Sequence, residues 1–261
     1  MIDQKLMHPL KDRKFRFACH RGLSCFTGCC ANLNLVLTPY DVLRLKNRLK
    51  LSSDVFLDRY ATSYIDEKYG VPVVKLKMNS DENRRCPFVS PEGCVVYEDR
   101  PGACRLYPIG RAASKIHEGL EAGEYYFMVK ESHCLGFNER REWTVREWLA
   151  DQGLDEYNAM NDLFMDIAAG RQSKTIKRLS DRQLQMYYMA GYSMDEFRRF
   201  VFDTSFLNRF DIPQDVLDRI KTDETELMAF ARQWLKFSLF GEKTFQLTER
   251  PGSFSKQPLH G

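Results

Sequence analysis

The chain has 261 residues, enough for one large domain or two modest ones with a substantial core. Thirty-nine basic against 36 acidic side chains leave a formal charge of +3, too small to point to nucleic acid, and a hydrophobic fraction of 43% is ordinary for a soluble protein. The N-terminal Met-Ile-Asp-Gln-Lys-Leu-Met-His has no apolar core behind a basic start, and the longest uncharged run, Gly22 to Tyr40, is too rich in cysteine, asparagine and hydroxyls to cross a membrane.

Residues 1–18 form an irregular or weakly extended lead-in. After a cysteine-rich loop, Ala31–Leu37 is apolar and predicts a short strand. Thr38-Pro39-Tyr40-Asp41 is a helix start, with a hydroxyl cap, proline in the first turn and a carboxylate three residues after the cap. Val42, Leu45 and Leu49 share a face of that helix. Ser52 or Ser53 caps a second, in which Phe56, Tyr60 and Tyr64 repeat at a spacing of four. These two helices are expected to pack over the metal loop. Val71 to Met78 predicts a strand with lysines facing outward.

Residues 86–108 are punctuated by proline and glycine, a run of turns around a short strand at Cys94–Tyr97. Tyr125 to Lys130 predicts another strand. From Thr144, which forms a capping box with Glu147, the pattern is helical. Tyr157, Met160, Phe164 and Ile167 mark one helix ending near Gly170. Leu184, Tyr187, Tyr188 and Gly191 mark the next, broken or bent before Met194, Phe197 and Val201. Leu227, Phe230, Ala231, Trp234 and Phe237 mark a long last helix after Pro213. The expectation is an α+β protein: a loop-rich cysteine-cluster domain over 1–143, a helical domain over 144–240 that could recognise a protein partner, and a flexible tail over 241–261.

Eight cysteines carry the chemistry. Cys19, Cys25, Cys29 and Cys30 fall within twelve residues, and Cys86, Cys94, Cys104 and Cys134 follow. Soft thiolates suit zinc, copper(I) and iron–sulfur clusters. A cytoplasmic location, expected for a chain without a visible signal or span, keeps thiols reduced and favours metal over disulfides. The zinc-ribbon signature of paired C-x2-C hairpins is missing, which tilts the expectation toward iron–sulfur, a [4Fe–4S] cluster above all. Eight thiols exceed the four that one zinc or one cubane needs. One cluster with spare thiols, two four-ligand sites and a polynuclear zinc site all stay open. His20 and His133 adjoin cysteines and are expected to orient ligands or face solvent rather than bind. Arg100, Arg105 and Arg111 either salt-bridge Glu98 and Asp99 or offset thiolate charge. No phosphate loop or catalytic nucleophile motif is present.

The ordered motifs Cys25-Phe-Thr-Gly-Cys29-Cys30, Leu37 to Leu45, Cys86-Pro87-Phe88, Gly93 to Tyr97, Arg100 to Pro108 and the later Cys134 resemble the YkgJ-like cysteine-cluster family, the CxxCxxCC domain. The resemblance covers about residues 19–135 and implies zinc or iron chelation by the eight cysteines. It departs in the leading interval, five residues rather than two before Cys25 and three before Cys29, which weakens Cys19 as a ligand. One similar branch, the flagellin lysine N-methylases, implies as an alternative an iron–sulfur-dependent protein-lysine methyltransferase using S-adenosylmethionine. Residues 145–240 show no site for that methyl donor. The resemblance leaves open whether the chain is an enzyme.

Overall fold

Thr38 opens the first helix as its sequence dictates. In the computed structural model, which describes residues 7–10, 13–114, 123–173 and 178–248, α1 spans Pro39–Arg48. The Thr38 hydroxyl accepts the Asp41 N–H at 3.2 Å, and the Asp41 carboxylate accepts the Thr38 N–H at 2.8 Å. Val42 and Leu45 are buried. Ser52 caps α2 (Ser53–Tyr60) through the Val55 N–H.

Here the structure corrects the predicted helix. It ends at Tyr60, and Tyr64 lies in strand β4 (Ala61–Ile65). Thr62, Tyr64 and Ile65 are β-branched or aromatic and suit a pleated surface better than a further helical turn. They pair antiparallel with β5 (Pro72–Leu76), whose other edge takes β3 (Val36–Leu37). Only those two residues of the predicted 31–37 strand are regular. Along β5, Val74 and Leu76 are buried while Lys75 is only half-buried, the expected alternation.

A second antiparallel sheet has the order β1 (Met7–Pro9), β9 (Gly123–Val129), β8 (Ile109–Ser114). A two-stranded ladder joins β2 (Lys14–Arg16) to β10 (Glu142–Thr144). Between them lies an aromatic core of Phe15, Phe17, Tyr126, Trp143 and Trp148, against which Cys134 and Tyr107 pack. Each such ring hides about 150–250 Å². The indoles also find partners: Trp143 donates to the Phe17 carbonyl at 2.9 Å and Trp148 to that of Leu106 at 3.0 Å.

The Thr144–Glu147 capping box forms and starts α4 (Val145–Asp151). Helix α5 runs from Leu154 to Ser173, through Gly170 rather than ending there. Tyr157, Met160, Phe164 and Ile167 are buried as their spacing requires. The chain divides into two compact units, Met1–Leu179 and Ser180–Gly261, so both helices belong with the cysteine loops. Tyr157 stacks edge-on against Tyr40 at 5.0 Å, which ties α5 to α1.

The second unit holds α6 (Asp181–Tyr192) and α7 (Met194–Phe202), separated at Ser193 where a break or bend is predicted. The predicted last helix is preceded by another. Helix α8 (Gln214–Thr222) stops before Asp223, whose carboxylate caps α9 (Glu224–Phe240). Phe206, Phe210, Phe230, Trp234 and Phe245 form its aromatic centre. Within the stretch predicted as a tail, Phe245 is buried and β12 (Gln246–Leu247) pairs with β11 (Phe210–Asp211). Residues 249–261 lie outside the described residues. The architecture is α+β, with short strands toward the N-terminus and helices toward the C-terminus.

Candidate metal centre

The first cysteine loop is a chain of turns. Leu23 N–H donates to the His20 carbonyl, Phe26 to Leu23, Gly28 to Cys25 at 2.8 Å and Cys30 to Thr27 at 3.0 Å. A Cβ on Gly28 would stand 2.9 Å from the Cys25 carbonyl oxygen, so only glycine allows a turn this tight. Thr27 is held in the left-handed region, φ 62°, with its hydroxyl 3.3 Å from the Arg85 guanidinium.

The second block is laced to the first by main chain. Ala31 and Arg85 form an antiparallel bridge, Asn32 N–H donates to Arg84, and Cys86 N–H donates to the Cys30 carbonyl. Cys86 then enters a hairpin, β6 (Val89–Ser90) with β7 (Gly93–Cys94), in which Val89 faces Cys94. This replaces the predicted strand at Cys94–Tyr97. Gly93, at φ +123°, makes the reversal that a side chain would resist. A 3-10 turn at Tyr97–Asp99 leads to the short helix α3 (Gly102–Leu106), which carries Cys104.

Two charged side chains fix α3. The second carboxylate oxygen of Asp41 accepts the Gly102 N–H at 2.7 Å, so the residue that caps α1 also anchors the Cys104 helix. Arg105, buried, donates to the carbonyls of Arg100 at 3.1 Å, Gln152 at 2.7 Å and Glu98. Cys134 follows β9. Next to it, Leu135 N–H donates to the Cys25 sulfur at 3.2 Å, and Gly136 accepts from Ala18 N–H at 3.1 Å. The Tyr107 hydroxyl is buried without a well-aligned partner and lies within hydrogen-bonding reach of the Cys134 sulfur.

All eight cysteines are free, Cys19 exposed and the others half-buried. As the side chains stand, no three His, Cys, Asp or Glu groups among the described residues close around one ion. The thiols nevertheless feel one another. Burial, then Cys29, Cys134 and Cys25, push Cys19 up to about 11. Burial, then Cys86, Asp41, Cys94 and Cys29, push Cys104 up strongly. Cys30 donates its thiol proton to Cys29, which holds Cys29 below and Cys30 above the ordinary thiol value.

The sequence profile of the CxxCxxCC family, "Putative zinc- or iron-chelating domain", matches residues 18–143. That stretch, just under half of the chain, is similar to the CxxCxxCC domain. No curated protein and no solved structure matches the chain.

The donors in the CxxCxxCC domain fit a soft metal. Thiolates bound to metals are stabilised by N–H···S bonds and nearby positive charge. The Leu135 N–H serves Cys25, the Phe88 N–H favours the Cys86 thiolate and the Val96 N–H that of Cys94. Arg100, buried and lying 3.7 Å over the Tyr97 ring, is within electrostatic reach of Cys94 and Cys104. In a loaded centre these groups would offset part of the thiolate charge.

The remaining candidates divide cleanly. His20 Nδ1 accepts the Gly22 N–H and its Nε2 lies 3.7 Å from Glu139, while His133 lies 3.7 Å from Glu131. Both are half exposed and paired with carboxylates. Arg111 grips Glu124 and Asp162. The predicted salt bridges to Glu98 and Asp99 form differently, since Arg44 takes Asp99 at 2.6 Å and Arg105 takes only the Glu98 carbonyl. Gln152 and Tyr107 as support residues, and the bond from Asp41 to Gly102, are not visible in the spacing. Their partners lie tens of residues away in the sequence.

Proposed function

We propose that the CxxCxxCC domain binds a metal centre through cysteine thiolates, an iron–sulfur cluster in preference to zinc. The observation that carries this is the set of bonds that join the loops bearing the free cysteines: the Cys86 N–H to the Cys30 carbonyl, the Leu135 N–H to the Cys25 sulfur, and the anchoring of the Cys104 helix by Asp41 and Arg105. Free cysteines on loops joined this way, one of them with an N–H donor at its sulfur, have no comparable use in a core. Cys19, Cys25, Cys29, Cys30, Cys86, Cys94, Cys104 and Cys134 would hold it. The preference for iron–sulfur rests on ligand spacing without C-x2-C hairpins.

Such a centre supplies either structural cross-linking or one-electron transfer, and thiolate ligands of this kind persist in the reducing cytoplasm. The helices of residues 180–240 are proposed as the surface for a protein partner. Anaerobic purification with elemental analysis and an absorption spectrum tests the reading. Iron with sulfide and a broad band near roughly 400 nm that bleaches in air is the expected result. Zinc without that band replaces iron–sulfur with zinc, and protein free of both metals that cannot be reconstituted with either sinks the proposal.

A further inference from the structure

Cys29 and Cys30 are neighbours in sequence, yet the groups around them belong to different loops. On one side, Leu135 N–H bonds the Cys25 sulfur, immediately after Cys134, and the Ala18–Gly136 bond brings Cys19 to the same loop. Cys19 is in electrostatic reach of Cys25, Cys29 and Cys134. On the other side, the Cys30 carbonyl holds the Cys86 N–H, and the Val89 N–H bonds the Cys86 carbonyl at 3.2 Å to start the hairpin that ends in Cys94. Cys104 is in electrostatic reach of both Cys86 and Cys94, and of Cys30.

We infer that the thiols form two four-sulfur sites that meet at the Cys29–Cys30 peptide. Cys19, Cys25, Cys29 and Cys134 make the first. Cys30, Cys86, Cys94 and Cys104 make the second. The inference rests on the metal-binding reading above and goes beyond it in number and partition. A tetrahedral zinc or a cubane cluster uses about four thiolates, so eight ligands match two such centres without remainder. The first set has the Leu135 N–H bonded to a sulfur, and in the second the Phe88 and Val96 N–H groups favour the Cys86 and Cys94 thiolates. The surroundings also differ: Glu131 lies near Cys29, whereas Arg100 lies near Cys94 and Cys104. Cys29 also takes the Cys30 thiol proton and feels Cys104, and the two sites touch there.

Cobalt(II) is the probe. The reduced full-length chain, stripped with a chelator under anaerobic conditions, is titrated while the sulfur-to-cobalt charge-transfer band is followed, and native mass spectrometry counts bound ions. The expected endpoint is about two ions per chain, falling to about one in Cys25→Ser and to about one in Cys94→Ser, with the band abolished when both are changed. A wild-type endpoint near one overturns the partition and leaves metal binding intact. A single variant that loses both ions while keeping the wild-type circular dichroism shows one shared centre and also overturns it. Absence of any thiolate–cobalt band overturns the partition, and the metal-binding reading falls with it only if iron with sulfide and zinc also fail to reconstitute. If the variants misfold, electron paramagnetic resonance of the wild type loaded with two cobalt ions decides: two uncoupled high-spin signals support the partition, and a spin-coupled pair shows one shared centre and overturns it.

Discussion

The main-chain N–H of Cys86 donates to the carbonyl oxygen of Cys30 across 2.8 Å, although α1, α2, β4 and β5 all lie between them in sequence. Two cysteines are therefore brought side by side without use of their sulfurs. Backbone pairing does this work, so a change confined to the sulfur leaves it in place. Cys86→Ser is expected to keep the wild-type far-ultraviolet circular dichroism while its metal content falls to about half. Its melting temperature should fall only as far as the lost metal had raised it. Wild-type metal content in this variant would place Cys86 outside the ligand set.

Asp41 gives a sharper stability test. Its two carboxylate oxygens serve two backbone N–H groups, Thr38 at the start of α1 and Gly102 at the start of α3. Removal orphans both in a site where Asp41 is 1% exposed. Leaving a buried donor unsatisfied costs about 1–3 kcal/mol, so Asp41→Ala should lose about 2–4 kcal/mol in urea unfolding. A loss under about 0.5 kcal/mol would mean that water replaces the carboxylate without difficulty.

Much of this scaffold is legible in the sequence because its causes are local. Thr38 with Asp41 and Thr144 with Glu147 are capping boxes whose partners sit three residues apart, and both form. The buried stripe of α5 follows from its spacing. Legibility fails where the deciding partner is distant. Tyr64 continues the helical spacing of Phe56 and Tyr60, yet the strand opposite, with Val73 across from Tyr64, claims it. The bond from Gly102 to Asp41 cannot be seen from either residue alone. The cysteines are visible as a group. Their division between the Cys30 and Cys134 sides depends on the Ala31–Arg85 bridge and the Leu135–Cys25 bond, which no spacing rule contains.

Arg105 separates charge from shape. Its guanidinium serves three carbonyl oxygens, those of Arg100, Gln152 and Glu98, and stacks 4.6 Å from the Tyr157 ring centre. An ammonium keeps the charge but is a point donor without the planar fork. Arg105→Lys is therefore expected to destabilise by about 2 kcal/mol, most of what Arg105→Ala costs. If lysine restores nearly full thermal stability, simple charge near the cysteines is what the position supplies.

Acid should release the metal. Cys19 is pushed up to about 11, and Cys104 and Cys30 are raised as well, so without metal these thiols hold protons at neutral pH. The metal-free form binds more protons than the loaded form. Affinity must then rise with pH and fall as protons return, by up to about one logarithmic unit per pH unit for each thiol deprotonated on binding. Competition between the protein and a zinc chelator of known proton linkage, repeated from roughly pH 8 to pH 6, measures that slope. A flat profile would mean that the raised thiols are not ligands.

Cys29 should stand apart from the others in reactivity. The Cys30 thiol donates to its sulfur, the largest influence on it, and lowers its pKa below the ordinary thiol value, while burial and Glu131 push the other way. Thiolate, not thiol, attacks alkylating agents, so in reduced, chelator-treated protein Cys29 should be modified by iodoacetamide faster than Cys19 near neutral pH, despite the greater exposure of Cys19. Cys30→Ala removes the donor, so the pH midpoint for labelling Cys29 should move upward toward that of an ordinary cysteine. Peptide mapping by mass spectrometry across a pH series reads both outcomes. An unchanged midpoint in Cys30→Ala would show that the Cys30 thiol proton does not control Cys29, and that the contact between the two sulfurs is packing alone.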